Sequence, residues 1–158
     1  MRWIWIDKFI DFQPGKSATA IKNVSLAEEH LHDHWTAYPV MPVSLMIEGM
    51  AQTGGLLVGH ARQFKEKVVL AKIGKAEVRE FVVPGDQLKY HAEVENISEG
   101  AASIHGTIYR NGEEIGEVQM MFSHIDQNMS GRAFPKENFV FTDQFRQLLA
   151  PIMQEFGQ

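Results

Sequence analysis

His30–Leu57, HLHDHWTAYPVMPVSLMIEGMAQTGGLL, decides how this chain is read. The stretch opens polar, with histidines at 30, 32 and 34. It passes through Tyr38-Pro39-Val40-Met41-Pro42, where two prolines hold the backbone extended. An apolar run follows, and Glu48 is the one ionisable residue in its first half. Pro42 suits the first turn of a helix, where a missing N–H costs nothing. From Ser44 to His60 few positions are strongly polar, so the predicted helix, ending near Phe64 or Lys65, is buried on most sides. A carboxyl group inside such a helix is costly to ionise, which suits a group that must hold a proton and then release it. Gly49, Gly54, Gly55 and Gly59 each weaken the helix by about 1 kcal/mol against alanine. The expected compensation is close approach, of the helix to a sheet or of a ligand to the helix.

The flanking segments read as strands. Residues 3–12, WIWIDKFIDF, are aromatic and β-branched, and Pro14-Gly15 turns them into a second strand from Ser17 to Val24. Ser25 to Asp33 reads as a polar connector with a short helical turn at Leu26–Glu29. Beyond the helix, strands are predicted over Val68–Val78, Gln87–Glu95, Ala101–Tyr109 and Ile115–His124. Val83-Pro84-Gly85-Asp86 has proline and glycine in the order of a type II turn, and Asn111-Gly112 is a hairpin signal. Two strands, one long buried helix and four more strands fit an α+β fold, an antiparallel sheet wrapped around a helix. Gln127 to Asn138 reads as a linker. Thr142 then caps a terminal helix presenting Phe145, Leu148, Leu149 and Ile152, which Pro151 should kink or end. The organisation is one domain over 1–126, with 127–158 as linker and helical extension.

Composition bounds the function. A chain of 158 residues buries roughly 70% of its unfolded surface, enough for a core without staples. It has no cysteine, which excludes disulfides and thiolate metal sites and fits the cytoplasm. A net charge of -5 argues against general nucleic-acid affinity. Asp7, Lys8 and Asp11 interrupt the apolar start too early for a signal peptide, and no segment is apolar enough to span a membrane.

His34-Trp35-Thr36-Ala37-Tyr38-Pro39-Val40-Met41-Pro42, followed by Glu48-Gly49-Met50-Ala51-Gln52, resembles the active-site block of the 3-hydroxyacyl-[acyl-carrier-protein] dehydratases, in the simple dehydratase branch. That family reads His-Phe-Pro-Gly-x-Pro-x-Met-Pro-Gly and then Glu-Ala-x-Ala-Gln. The interval from His34 to Glu48, 48 − 34 = 14 positions, is the family's. Gln13-Pro14-Gly15-Lys16, Ala20-Ile21-Lys22-Asn23-Val24 and Val82-Val83-Pro84-Gly85-Asp86-Gln87-Leu88 extend the likeness over residues 5–124.

The resemblance implies the hot-dog fold and dehydration of 3-hydroxyacyl thioesters to trans-2-enoyl thioesters, in fatty-acid or related lipid or polyketide synthesis. It implies His34 as the base at C2 and Glu48 as the acid at the C3 hydroxyl. Backbone N–H groups near Val43 and Ser44 would face the thioester oxygen, and Gln52, one turn after Glu48, would orient its carboxyl. The substrate carries a phosphopantetheine arm and no cofactor is implied. The partners implied are acyl carrier protein and a second copy of the chain, as a homodimer extendable to a trimer of dimers. In relatives the two catalytic residues of one pocket come from different subunits.

Three departures stand out. Phe-Pro-Gly is Trp35-Thr36-Ala37, the glycine after Met-Pro is Val43, and a His-Arg-Tyr-Pro-Phe helix is not found ahead of the first strand.

Blander readings compete with these. Glu48 alone could pair with a buried base, and Gln52 could be a plain structural hydrogen-bonder. His30, His32 and His34 have His-x-His spacing and Asp33 adds a fourth donor, but closed metal sites draw ligands from separate segments. No metal is therefore assigned, and His30 and His32 are read as solvated. Met46, Met50, Met120 and Met121 read as core, with an acyl-tunnel lining as the other option. Arg62, Lys65, Lys67, Lys72, Lys75 and Arg79 are candidate docking cations for an acidic carrier. Two functions stand against dehydration: an acyl thioesterase with Glu48 activating water, and a non-catalytic acyl-binding protein.

Overall fold

The structure is a computed structural model that describes residues 3–35, 37–125, 135, 140 and 142–155, with side chains 144, 149 and 152–155 outside the description. Six strands are described: β1 (Lys8–Gln13), β2 (Ser17–Asn23), β3 (Val68–Val78), β4 (Gln87–Ile97), β5 (Ala101–Arg110) and β6 (Glu113–His124). The helices are α1 (His30–Asp33), α2 (Val43–Ala61) and α3 (Asp143–Glu155). The strands form one antiparallel sheet in the order β1-β2-β4-β5-β6-β3.

Tight turns set the register. Gly15 and Gly85, at φ +70 and +99, take the left-handed position that a type II turn demands after proline. Asn111 and Gly112, both at positive φ, close the β5–β6 hairpin as a type I′ turn. Alternation then decides the faces. Leu88, Tyr90 and Ala92 on β4, Ile104 and Ile108 on β5, and Val118, Met120 and Phe122 on β6 are buried beneath α2.

The helix is buried where its sequence is apolar all round, at Met46 and from Gly49 to Gly59. Gly49 is there because Tyr90 is. A Cβ on Gly49 would lie 2.6 Å from Tyr90 Cζ, closer than carbon atoms pack. Gly106 on β5 makes the matching allowance for Met50 Sδ, at 2.5 Å.

The expectations fail at several places. Residues 3–6 are not strand: β1 starts at Lys8, and Trp5 and Ile6 are buried while their backbone runs free of the sheet. The chain does turn at Leu26–Glu29, where Glu28 N–H donates to the Ser25 carbonyl at 3.1 Å, but the helix itself follows at His30–Asp33, where Leu31 is buried while Leu26 stays exposed. His30 is not solvated; it packs edge-on against Trp5 at 5.1 Å, with Glu28 3.9 Å from its Nδ1. Met46, Met50 and Met120 are core, but Met121 is exposed because strand alternation turns it outward. Lys67 is buried, at 6% exposure. α3 runs past Pro151 to Glu155 instead of ending there; Pro151 is exposed, with water available to the carbonyl bond it forfeits. The linker reading over 127–138 lies outside the described residues except for Pro135, as do the side chains of Leu149 and Ile152.

Candidate active site

Glu48 sits in the second turn of α2, half-buried, on the helix face that also carries Ser44, Gln52 and Gly55. Its Oε1 accepts two hydrogen bonds, from Gln52 Nε2 at 3.0 Å and from the Trp3 indole Nε1 at 3.1 Å. Gln52 is buried and fully committed. Its Oε1 accepts from the Trp5 backbone N–H at 2.8 Å, which fixes which end of the amide is oxygen. Its Nε2 then donates to the Trp3 carbonyl at 3.1 Å as well as to Glu48. Segment 3–6 is thereby strapped across α2, and the carboxyl is held by groups that can only donate. Oε2 receives neither of these bonds.

The carboxyl and Gln52 border a cleft of about 210 Å³ whose other described lining is apolar. Its wall is Ala51, Gly55 and Leu56 of α2, Val68, Val69 and Leu70 of β3, Phe122 of β6, and Trp3, Val140 and Phe145. Trp3 is 58% exposed, so the indole forms an outer rim. Among the described residues, Glu48 is the one acidic or basic side chain on the cleft wall.

The first turn of α2 supplies the second polar element. Pro42 is the N-cap, one position earlier than expected, and no side chain caps the helix. The N–H groups of Val43 and Ser44 have no intrahelical acceptor, since a helix leaves its first donors unpaired. Val43 is 45% exposed, so its side chain points to solvent and does not fill the core beside those donors. Met41 N–H donates to Val82 carbonyl at 2.8 Å, tying the extended Pro39–Pro42 segment to the β3–β4 connection.

His34 is placed elsewhere. It caps the C-terminus of α1, its N–H on the His30 carbonyl at 3.2 Å, and its side chain is exposed. It is not among the residues lining the cleft beside Glu48. Its loop is braced by aromatic edges, Trp35 lying 6.5 Å from Tyr38 and 6.4 Å from Phe81. The His-x-His run is helical, which turns His32 away from His30 and His34; a shared ion needed the strand geometry.

Within one protomer, therefore, Glu48 and Gln52 come together, Val43 and Ser44 open the same helix, and His34 stands apart. Trp3 was missed by sequence reasoning. Nothing in a lone tryptophan near a chain start marks a bond to residue 48. Two further histidines have partners that no sequence spacing marks: His124 is buried against Glu66, and His91 Nδ1 is 2.8 Å from Thr19 Oγ1. Burial lowers the pKa of His30 and of His60, the latter packed between Phe12 and Phe64.

A single antiparallel sheet wrapped around one long helix, with a carboxyl group at the edge of an apolar cleft, is the hot-dog fold as acyl-thioester proteins use it. Residues 3–119 match the FabA-like domain family, and the chain belongs to that family. Two curated relatives are named 3-hydroxyacyl-[acyl-carrier-protein] dehydratase FabZ. The Clostridium kluyveri protein is 36% identical over 127 residues, 80% of this chain and 88% of its own. The Pelotomaculum thermopropionicum protein is 34% identical over 122 residues, 77% of this chain and 87% of its own. Among solved structures, the dehydratase heterocomplex ApeI:P from Xenorhabdus doucetiae superposes with a TM-score of 0.65 at 17% identity, covering 81% of this chain and 90% of that one.

Proposed function

We propose that this chain dehydrates 3-hydroxyacyl thioesters carried on acyl carrier protein, giving trans-2-enoyl thioesters for fatty-acid synthesis. The observation that carries this reading is Glu48 at the edge of an apolar cleft, its Oε1 taken up by two N–H donors. A protonated Glu48 then carries its proton on Oε2 and presents it to the C3 hydroxyl. His34 removes the C2 proton, the C2 electron pair becomes the new C2–C3 double bond, and the C3–O bond breaks to release water. Acid and base steps of this kind each contribute about 10²–10⁴ in rate. The free N–H groups of Val43 and Ser44 receive the thioester oxygen as enolate charge develops there. The C2–H pair becomes the double bond and the C3–O pair leaves with the oxygen as water, with no net oxidation or reduction, so the reaction calls for no cofactor beyond the substrate's own phosphopantetheine arm. The working location on this reading is the cytoplasm.

The reaction requires His34 to come from a second copy. The placement of β3 supports this. It is an edge strand paired only with β6 among the described strands, and its residues 70–77 are exposed on both faces, Leu70 and Ile73 included. An open edge of this length is a template for another strand. Val68 to Leu70, where that edge begins, also line the cleft beside Glu48, so a partner seated on it lies beside the carboxyl. Two such dimers and a third make a trimer of dimers. Docking of the acidic carrier falls to Arg62, Lys65 and Lys72, because Lys67 is buried and Lys75 and Arg79 are paired with Glu117 and Glu114.

Mixed dimers test the reading. His34→Ala and Glu48→Gln homodimers should form no enoyl product. Refolded together, they should recover about a quarter of wild-type activity, since half the dimers are mixed and each holds one intact site. No recovery would place both residues in one protomer's site or remove one from the chemistry. Release of free acid in place of enoyl thioester would make the protein a thioesterase.

A further inference from the structure

The family match ends at residue 119, yet the cleft beside Glu48 is not built from that region alone. α3 begins at Asp143, after the matched domain, and brings Phe145 to the cleft. The helix is amphipathic. Phe145 and Leu148 pack on the core while Asp143, Arg146 and Gln147 face water. Two contacts fix its start: the Thr142 carbonyl accepts from Arg146 N–H at 3.1 Å, and the Arg146 guanidinium lies over the Phe64 ring at 5.8 Å. Phe64 belongs to the turn that ends α2, so α3 is anchored to the helix that carries Glu48.

We infer that Phe145 is a selectivity wall: α3 closes the acyl cleft from outside the matched domain and restricts it to short acyl chains. Three observations converge. Phe145 lines the same cleft as Glu48 and Leu56. The part of the cleft that one protomer forms is about 210 Å³, so a single aromatic ring on its wall takes up a large share of it. Its described lining away from Glu48 and Gln52 is apolar, so it accepts hydrocarbon and is limited by size. A bulky aromatic ring on such a wall excludes added methylenes by volume. The inference rests on the acyl-thioester reading of the cleft but not on turnover.

The experiment uses the full chain and two readouts. Binding of butanoyl- and dodecanoyl-pantetheine is followed by tryptophan fluorescence, with Trp3→Phe identifying the rim signal. Turnover of the corresponding 3-hydroxyacyl thioesters is followed by enoyl absorbance. Wild type should prefer the butanoyl chain. Phe145→Ala should shift the ratio of the two Kd values toward dodecanoyl by about tenfold, and Phe145→Trp should shift it the other way. The second variant keeps the test valid if the first fails to fold. Ratios unchanged within twofold in the folded variants would overturn the wall. A shifted Kd ratio with no enoyl product from any chain would leave the wall standing and count against dehydration.

Discussion

The indole N–H of Trp3 donates to Oε1 of Glu48 across 45 positions of sequence. Gln52, bonded to the backbone of Trp3 and Trp5, fixes both ends of that contact. The carboxyl of α2 is thus oriented by a segment outside every strand and helix. Trp3→Phe keeps the ring on the cleft rim and removes only the donor. It should lower kcat about tenfold, the value of one hydrogen bond to a reacting carboxyl, with KM within about twofold. Trp3→Ala should raise KM as well. An unaltered kcat in Trp3→Phe would exclude the N–H from the machinery.

Gly49 adjoins Glu48, and its missing side chain is required by Tyr90. Gly49→Ala places a methyl group 2.6 Å from the Tyr90 ring, and neither residue can retreat from the core. The expected loss is about 1–3 kcal/mol by urea denaturation, read as a lower midpoint at unchanged slope. An unchanged midpoint would mean that α2 can move off the sheet.

Acid should weaken the fold through His30 and His60. Burial holds both below the ordinary histidine value of 6.5, and for His30 the charges of Lys22 and His34 add to this while Glu28 opposes it. As pH falls through 6.5 the unfolded chain binds protons that the folded chain refuses, so stability drops with falling pH. It levels off below the lowered folded-state values. Melting temperature measured from about pH 8 to pH 5 should decline, and His60→Leu should make that decline shallower. A parallel curve for the variant would assign the decline to other groups.

Carrier docking separates substrate chemistry from substrate delivery. Lys65 is exposed beyond the end of α2. Lys65→Glu should raise KM for carrier-bound substrate by about fivefold or more at low salt, and leave a soluble pantetheine thioester within twofold. An equal effect on both substrates would remove Lys65 from the docking surface.

The local signals in the sequence were strong wherever one turn or one face decided the structure. Proline-glycine pairs, Asn111-Gly112 and strand alternation gave β3 to its end residues and β2, β4, β5 and β6 to within two positions. The apolar run with Glu48 and Gln52 gave the buried helix and the face on which those two side chains meet, since residues four apart must share a side. β1 was overextended to residue 3, because aromatic and β-branched residues are buried equally well by a strand and by a strap over a helix.

What the sequence by itself determined is a helix wrapped in antiparallel strands and a carboxyl group placed upon it. Tertiary structure alone decided what surrounds that carboxyl. Trp3 and Phe145 reach the cleft of Glu48 from opposite ends of the chain, the latter 145 − 48 = 97 positions away. No local periodicity records such a meeting. Long-range packing against the face of α2 that carries Glu48 selects which side chains fill the gap.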